Sequence, residues 1–128
     1  MGSVDALEQV RQLVRRRRKH PVDAYAFIFD ALDYTLRRIG ERRHVTGQEL
    51  CEGIRELALE QFGPLAATVF RQWGIESTRD FGRMVFDLVD VGLMGKTEQD
   101  DIRDFDDVYD FAEAFDPQRA VALCMQNA

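Results

Sequence analysis

The sequence has little of what marks a disulfide-bonded, metal-binding or membrane-spanning protein. Its 128 residues include two cysteines and two histidines, which form neither a Cys-x-x-Cys pair nor a recurrent metal-ligand spacing. No segment approaches 18 uncharged apolar residues, and the N-terminus has no apolar run of signal-peptide length. We therefore predict a cytoplasmic protein with no metal or cofactor, in which Cys51 and Cys124 are reduced and buried.

The remaining composition is that of an ordinary globular domain. Apolar residues make up 45% of the chain, and nine Phe, three Tyr and one Trp can supply a substantial core. The net charge of −6 is unevenly divided: residues 1–55 carry 11 basic and 8 acidic side chains, and residues 56–128 carry 6 and 15. This asymmetry argues against a broadly basic coat for nucleic acid and permits a basic patch near one end.

Apolar residues at helical spacing predict two N-terminal helices, over about residues 4–20 and 21–39. They separate at His20-Pro21, because a residue before proline avoids the helical conformation. The first helix is predicted to form a basic N-terminal element, residues 1–20. The second is apolar over more than half its circumference. Phe27 and Tyr34 on its far side suggest a homodimer surface.

Capping and proline signals predict three further helices, at about residues 47–62, 64–73 and 78–91. Thr46 and Glu49 form a predicted capping box, and Ser77 is predicted to cap the last of the three. Two strands, at about 93–97 and 105–111, are then predicted, with a helical turn as the alternative for 105–111. The fold class is therefore mainly α with a small β-hairpin: a winged-helix-like domain over residues 21–116. A short C-terminal helix or tail, 117–128, follows it.

A run of cations ends the first predicted helix and is the strongest functional signal in the sequence. Cations favour a helix C-terminus, but five in succession exceed that need, and a smaller basic cluster follows the second helix. These clusters predict RNA or DNA binding without sequence preference; contact with an acidic protein and a solvated helix end are the alternatives. The candidate polyanion-binding residues are Arg11, Arg15, Arg16, Arg17, Arg18, Lys19, Arg42 and Arg43.

Residues 98–116, here called the acidic segment, contain nine acids against the single Arg103. The segment would repel phosphate, and the helix before it offers only Arg79 and Arg83 to a DNA groove, which argues against sequence-specific DNA recognition. A solvated hairpin is one interpretation of these acids. Docking on a protein with a basic surface is the other, through Asp100, Asp101, Asp104, Asp106 and Asp107.

No set of nucleophile, base and orienting group is evident in the sequence. Both histidines follow basic residues at positions expected to be exposed, so His44 is predicted to be an ordinary surface histidine. The leading functional prediction is therefore a non-catalytic protein-interaction or adaptor domain. Polyanion binding is the alternative.

Several short motifs resemble those of a family of small uncharacterised bacterial proteins. They include Arg43-His44-Val45-Thr46-Gly47-Gln48-Glu49-Leu50, Gln61-Phe62-Gly63-Pro64 and Asp80-Phe81-Gly82, and the resemblance covers about residues 20–116. It implies a stable bacterial cytosolic domain. The family has no established activity, so the resemblance implies no mechanism and no site residues.

Overall fold

The computed structural model describes residues 3–126, with side-chain surroundings from Asp5 to Val121, and every regular element in that range is helical. Two of these elements, Gly63–Leu65 and Ile102–Phe105, are short 3-10 helices. The α-helices are α1 (Ser3–Arg17), α2 (Val22–Ile39), α3 (Gly47–Phe62), α4 (Ala66–Gln72), α5 (Thr78–Asp90), α6 (Phe111–Ala114) and α7 (Pro117–Gln126).

Helix ends follow the local signals in the sequence at most positions. The predicted capping box is confirmed: the Glu49 N–H donates to Thr46 Oγ1 at 3.1 Å, and the Thr46 N–H donates to Glu49 Oε1 at 3.0 Å. Gly40 ends α2 with φ 84°, a conformation that glycine adopts without penalty. Ser77 precedes α5 but makes no side-chain capping bond. Instead, Asp80 accepts the Glu76 N–H at 2.8 Å.

The predicted β-hairpin and winged-helix-like core are wrong, because residues 93–97 and 105–111 form no strand. Two aspartates in this part of the chain accept backbone N–H groups and start short helical turns instead. Asp101 caps the 3-10 helix through the Arg103 N–H, and Asp110 caps α6 through the Glu113 N–H. Apolar residues at Leu93, Phe105, Val108, Tyr109 and Phe111 predicted strands, but side-chain caps favour the competing turns.

Phe105 attaches the acidic segment to the helical core. Its side chain is 4% exposed and lies against Gly47 at the start of α3 and Gly82 within α5. A Cβ atom at either glycine would approach the Phe105 side chain to 2.9 Å or less. The two glycines therefore provide the space into which the ring inserts, and Thr78 Oγ1 donates to the Phe105 carbonyl at 2.6 Å.

The interior is a cluster of aromatic rings centred on helix α4. Phe27, on α2, is 4% exposed, and its ring centroid lies 5.4–5.8 Å from those of Phe62, Phe70 and Trp73. The ring predicted to face a second subunit is therefore buried within one chain. Tyr34 is half-buried and packs against the same core.

Helix α1 is packed onto this core. Its Val10 and Leu13 side chains are buried, while the residues of its last turn are exposed. Cys51 is a buried free thiol, as predicted, and burial raises its pKa to about 12. The same prediction for Cys124 concerns a side chain outside the described residues.

Candidate binding sites

Half of the basic N-terminal residues are already paired with carboxylates. Arg17 and Lys19 contact Asp87 and Asp80 of α5 at 2.8 and 3.4 Å, and Arg15 contacts Glu8 at 3.1 Å. Arg11, Arg16 and Arg18 are exposed and have no ion pair within residues 5–121. The basic run therefore serves partly to join α1 to α5, and three of its cations face solvent.

The second basic cluster lies at the other end of α2. Arg43 pairs with Glu49 at 2.7 Å and with Glu41 at 3.0 Å, whereas Arg42 is exposed without a partner among the described side chains. An 18-residue helix is about 27 Å long. Because the first cluster precedes α2 and the second follows it, the structure does not bring the two together.

Most of the predicted docking acids have intramolecular partners. Asp100 contacts His44 Nε2 at 2.8 Å and accepts the Thr97 N–H, and Asp104 accepts the Asp101 N–H. Arg103 lowers the pKa of Asp101 to about 2 by donating from its side chain and its backbone. Asp106 pairs with Arg79 at 2.7 Å. Asp107 alone of the five has no such contact within residues 5–121. His44 is exposed, as predicted.

A pocket of about 270 Å³ lies where the end of α1 meets α5. We call it the His20 pocket, after the histidine that precedes Pro21 and that the sequence predicts to be exposed. His20 is in fact 5% exposed. The residues lining the pocket are Arg17, Lys19, His20, Arg83, Phe86, Asp87 and Ile102.

Hydrogen bonding determines the orientation and the tautomer of His20. Its Nδ1 lies 2.8 Å from the carbonyl oxygen of Trp73, and because a carbonyl only accepts, Nδ1 carries the hydrogen. No partner for Nε2 is found among the described residues, yet no buried side-chain nitrogen or oxygen in that range is unpaired. Nε2 is therefore in contact with solvent. The His20 ring is one of the groups that line the His20 pocket.

The turn that carries Lys19 and His20 to the pocket has an unusual backbone. Arg18 has φ 54°, in the left-handed region that non-glycine residues rarely occupy, and such a conformation costs about 1–3 kcal/mol. The Arg18 N–H still donates to the Val14 carbonyl at 2.9 Å and closes α1. The chain then reverses, so that Lys19 and His20 lie beside α5.

Two carboxylates of α5 pair with the cations of the pocket. Asp80 Oδ1 contacts both Lys19 at 3.4 Å and Arg83 at 2.9 Å. Burial opposes ionisation of Asp80, but the Glu76 N–H, Lys19 and Arg83 outweigh it, and the pKa of Asp80 lies below its usual range. Burial and the nearby Asp87 raise the pKa of Tyr25 to about 12, so its hydroxyl stays protonated 3.4 Å from Asp87.

The depressed pKa of Asp80 predicts a pH dependence of stability. The contribution of the ionised Asp80 is present above its unfolded-state pKa of about 3.8 and is lost as the pH falls through the lower folded-state value. We expect Asp80→Asn to be less stable than wild type at pH 7, with a difference that shrinks toward pH 3. Urea unfolding along a pH series measures this; the exposed Glu60→Gln is the control. A constant difference would contradict the prediction.

A larger groove of about 520 Å³ opens on another side of the helices. We call it the apolar groove: residues of α2 and α5 and the chain after α5 form its walls, and Arg43, His44 and Lys96 are its ionisable members. No carboxylate is among its lining residues. Its apolar side chains are Phe29, Leu32, Leu36, Val45, Leu50, Val85, Leu93 and Met94.

Sequence patterns contained part of the signal for the His20 pocket. Asp80, Arg83 and Asp87 have the spacing that places residues on one helix face, so a polar stripe on α5 could have been identified. The pairing of that stripe with Arg17, Lys19 and His20 spans more than 60 residues of sequence. No local sequence pattern indicates this pairing.

Two kinds of feature are absent from residues 3–126. No described helix combines the length and the apolar character needed to cross a membrane. No group of three or more His, Cys, Asp or Glu side chains in that part of the chain is arranged to hold a metal ion.

These observations define an all-helical protein with an apolar groove and a separate, cation-lined pocket. Comparison with known proteins adds no relative: no family model, no curated protein and no solved structure matches the chain. The resemblance to a family of small bacterial proteins stays a prediction. The functional argument therefore rests on the two sites.

Proposed function

We propose that this protein is a non-catalytic interaction domain whose apolar groove binds a short amphipathic segment of an acidic protein partner. The observation that carries the proposal is the lining of the groove: eight apolar side chains and three ionisable basic ones, with no carboxylate. The whole chain has 23 acidic residues. Because none of these acidic residues lines the groove, the groove favours a bound segment that is apolar on one side and negatively charged at its edge.

The shape of the groove suits a helix or an extended segment with a few large apolar side chains. Phe29, Leu32 and Leu36 follow one another at helical spacing on α2 and are all only partly buried, so they present a partly exposed apolar stripe to the groove. Met94 forms part of the opposite wall, and its unbranched thioether can adapt to different side chains. Helix-in-groove recognition uses such a stripe.

Lys96 provides the charge at the rim. Its ammonium lies 5.7 Å from the centroid of the Phe86 ring and makes no ion pair within residues 5–121, although it is near enough to Asp101 to help lower the pKa of that carboxyl. Arg43 and His44 are already paired with Glu49 and Asp100, so Lys96 is the cation most available to an acidic partner. A carboxylate beside Lys96 would be held at the edge of the groove while apolar side chains fill it.

The geometry supports the groove better than the acidic segment as the docking surface. Four of the five predicted docking acids are engaged in turns or ion pairs of their own chain. A basic partner would compete with those contacts. Docking through the acidic segment and polyanion binding through the basic clusters both remain predictions.

Selection from a displayed library of short random peptides tests the proposal. We expect the selected peptides to carry apolar residues at helical spacing together with an excess of Asp and Glu. Met94→Glu should weaken their binding at least tenfold, because it places a carboxylate in an apolar site next to an acidic ligand. Met94→Leu should retain binding.

The control variant is Leu65→Glu, which changes another exposed apolar residue, 62% exposed, outside the groove. It should bind the selected peptides like wild type. Selected peptides that are basic, or that bind Met94→Glu unchanged, would contradict the proposal. Self-association that Met94→Glu abolishes would identify a second copy of the chain as the occupant instead.

A further inference from the structure

We propose that the His20 pocket is a second, independent binding site, and that it takes a small molecule carrying a phosphate monoester. The pocket combines three cations, an imidazole nitrogen without a protein partner and an apolar wall in about 270 Å³. That volume is near the lower end for small-molecule sites. The ligand is therefore a compact molecule rather than a nucleic acid strand.

The cations are held where one anion can contact them together. Lys19 and Arg83 share the same Asp80 oxygen, so their charged nitrogens lie close together. Arg17 is fixed nearby by Asp87. The cations are about half exposed while the two carboxylates are largely covered, at 6% and 14%, so a ligand can reach the positive groups more readily than the negative ones.

The charge balance of the pocket favours an anion. Arg17, Lys19 and Arg83 face two carboxylates, which leaves one positive charge in excess in a chain whose net charge is −6. The Asp87 carboxylate, the acidic member of the lining, is engaged by Arg17 and by the Tyr25 hydroxyl. A singly charged anion would neutralise the excess.

His20 selects among anions. Since Nδ1 donates to the Trp73 carbonyl, Nε2 of the neutral ring is an acceptor, and an anion beside it needs a hydrogen to share. A phosphate monoester can supply one when it binds in its singly charged form, which a second pKa near 6 leaves as about a tenth of the molecules at pH 7. A sulfate monoester has no proton at neutral pH and would place a lone pair against a lone pair. Phe86 and Ile102 can then cover an apolar group on the phosphate.

Phenyl phosphate and phenyl sulfate are a matched pair of probes for this site. By calorimetry at pH 7 we expect saturable binding of phenyl phosphate, at least tenfold tighter than that of phenyl sulfate. Arg83→Gln and Lys19→Gln should each weaken phenyl phosphate binding about tenfold, as loss of a charge-assisted hydrogen bond does. Arg71→Gln, a change of the same kind at an exposed residue outside the pocket, should have no effect.

His20→Asn separates the role of His20 in binding from its role in folding. The asparagine amide can still donate to the Trp73 carbonyl in place of Nδ1, but it lacks the acceptor at the position of Nε2. We expect this variant to fold and to lose the preference for phenyl phosphate over phenyl sulfate.

Three outcomes would overturn the proposal. They are the absence of saturable phenyl phosphate binding to wild type, equal affinity for the two probes, and equal weakening by Arg71→Gln and Arg83→Gln. Because the apolar groove lies elsewhere, Met94→Glu should leave phenyl phosphate binding unchanged, so failure of one site would not be mistaken for failure of the other.

Discussion

Replacement of Phe70 by alanine is expected to lower the free energy of unfolding by about 3–5 kcal/mol. Phe70 is 0% exposed and belongs to the short helix α4. Its ring lies 5.1–6.5 Å from six other aromatic rings, which come from α2, α3, the residue that follows α4, α5 and the acidic segment: Phe27, Phe62, Trp73, Phe81, Phe111 and Phe115. Its loss would leave a cavity where all these elements meet.

Urea unfolding followed by far-ultraviolet circular dichroism is the appropriate measurement, because Trp73 adjoins Phe70 and its fluorescence would change for local reasons. Phe70→Leu should lose less stability than Phe70→Ala, since it retains most of the buried volume. Phe86→Ala, at a ring that is only partly buried, is the control for truncation of a phenyl group outside the cluster. A loss below about 1 kcal/mol for Phe70→Ala would show that α4 is not the centre of the core.

Gly53→Ala is the second substitution with a large expected effect. We expect it to lower the free energy of unfolding by at least about 2 kcal/mol. Gly53 lies on α3 against α2, and a Cβ atom there would stand 1.8 Å from Thr35 Oγ1. That hydroxyl is buried and donates to the Ala31 carbonyl at 2.7 Å, so it cannot turn away without losing its partner. Alanine stabilises a helix by about 1 kcal/mol relative to glycine. This gain is smaller than the cost of moving α2 and α3 apart to make room for the new methyl group.

A double variant isolates this clash. Thr35→Ala removes the hydroxyl that the new methyl group would meet, so Gly53→Ala should cost less in the Thr35→Ala background than in wild type. Gly95→Ala, where a Cβ atom would have no neighbour within 4 Å, should stay within about 0.5 kcal/mol of wild type. An equal cost of Gly53→Ala in both backgrounds would contradict the structural explanation.

The helices and most of their ends could be predicted because their signals are local. Thr46 and Glu49 lie three residues apart and cap each other, and Gly40 stops α2 by its own conformational freedom. Such interactions need nothing from elsewhere in the chain. The prediction failed at residues 93–111, where the loss of helical spacing among the apolar residues suggested strands but aspartate caps and a buried ring produce turns.

The candidate sites were harder to predict, because their members are far apart in sequence. The basic run was identified as functional, but its contacts with Asp80 and Asp87 on α5 were not, since 61 and 70 residues separate the partners. His20 was placed on the surface from its basic neighbours. The Arg18 turn and the Trp73 carbonyl place it in the interior instead.

The position of the Phe105 ring illustrates the difference between what the local sequence determines and what depends on contacts between distant residues. Composition, helical spacing and capping residues determine that the chain forms helices, because those preferences act within a few residues. Which ring lies between Gly47 and Gly82, and which cations lie beside His20, depend on how the helices pack. Packing brings together groups that share no local pattern, so the pocket, the groove and the attachment of the acidic segment exist only in the folded chain.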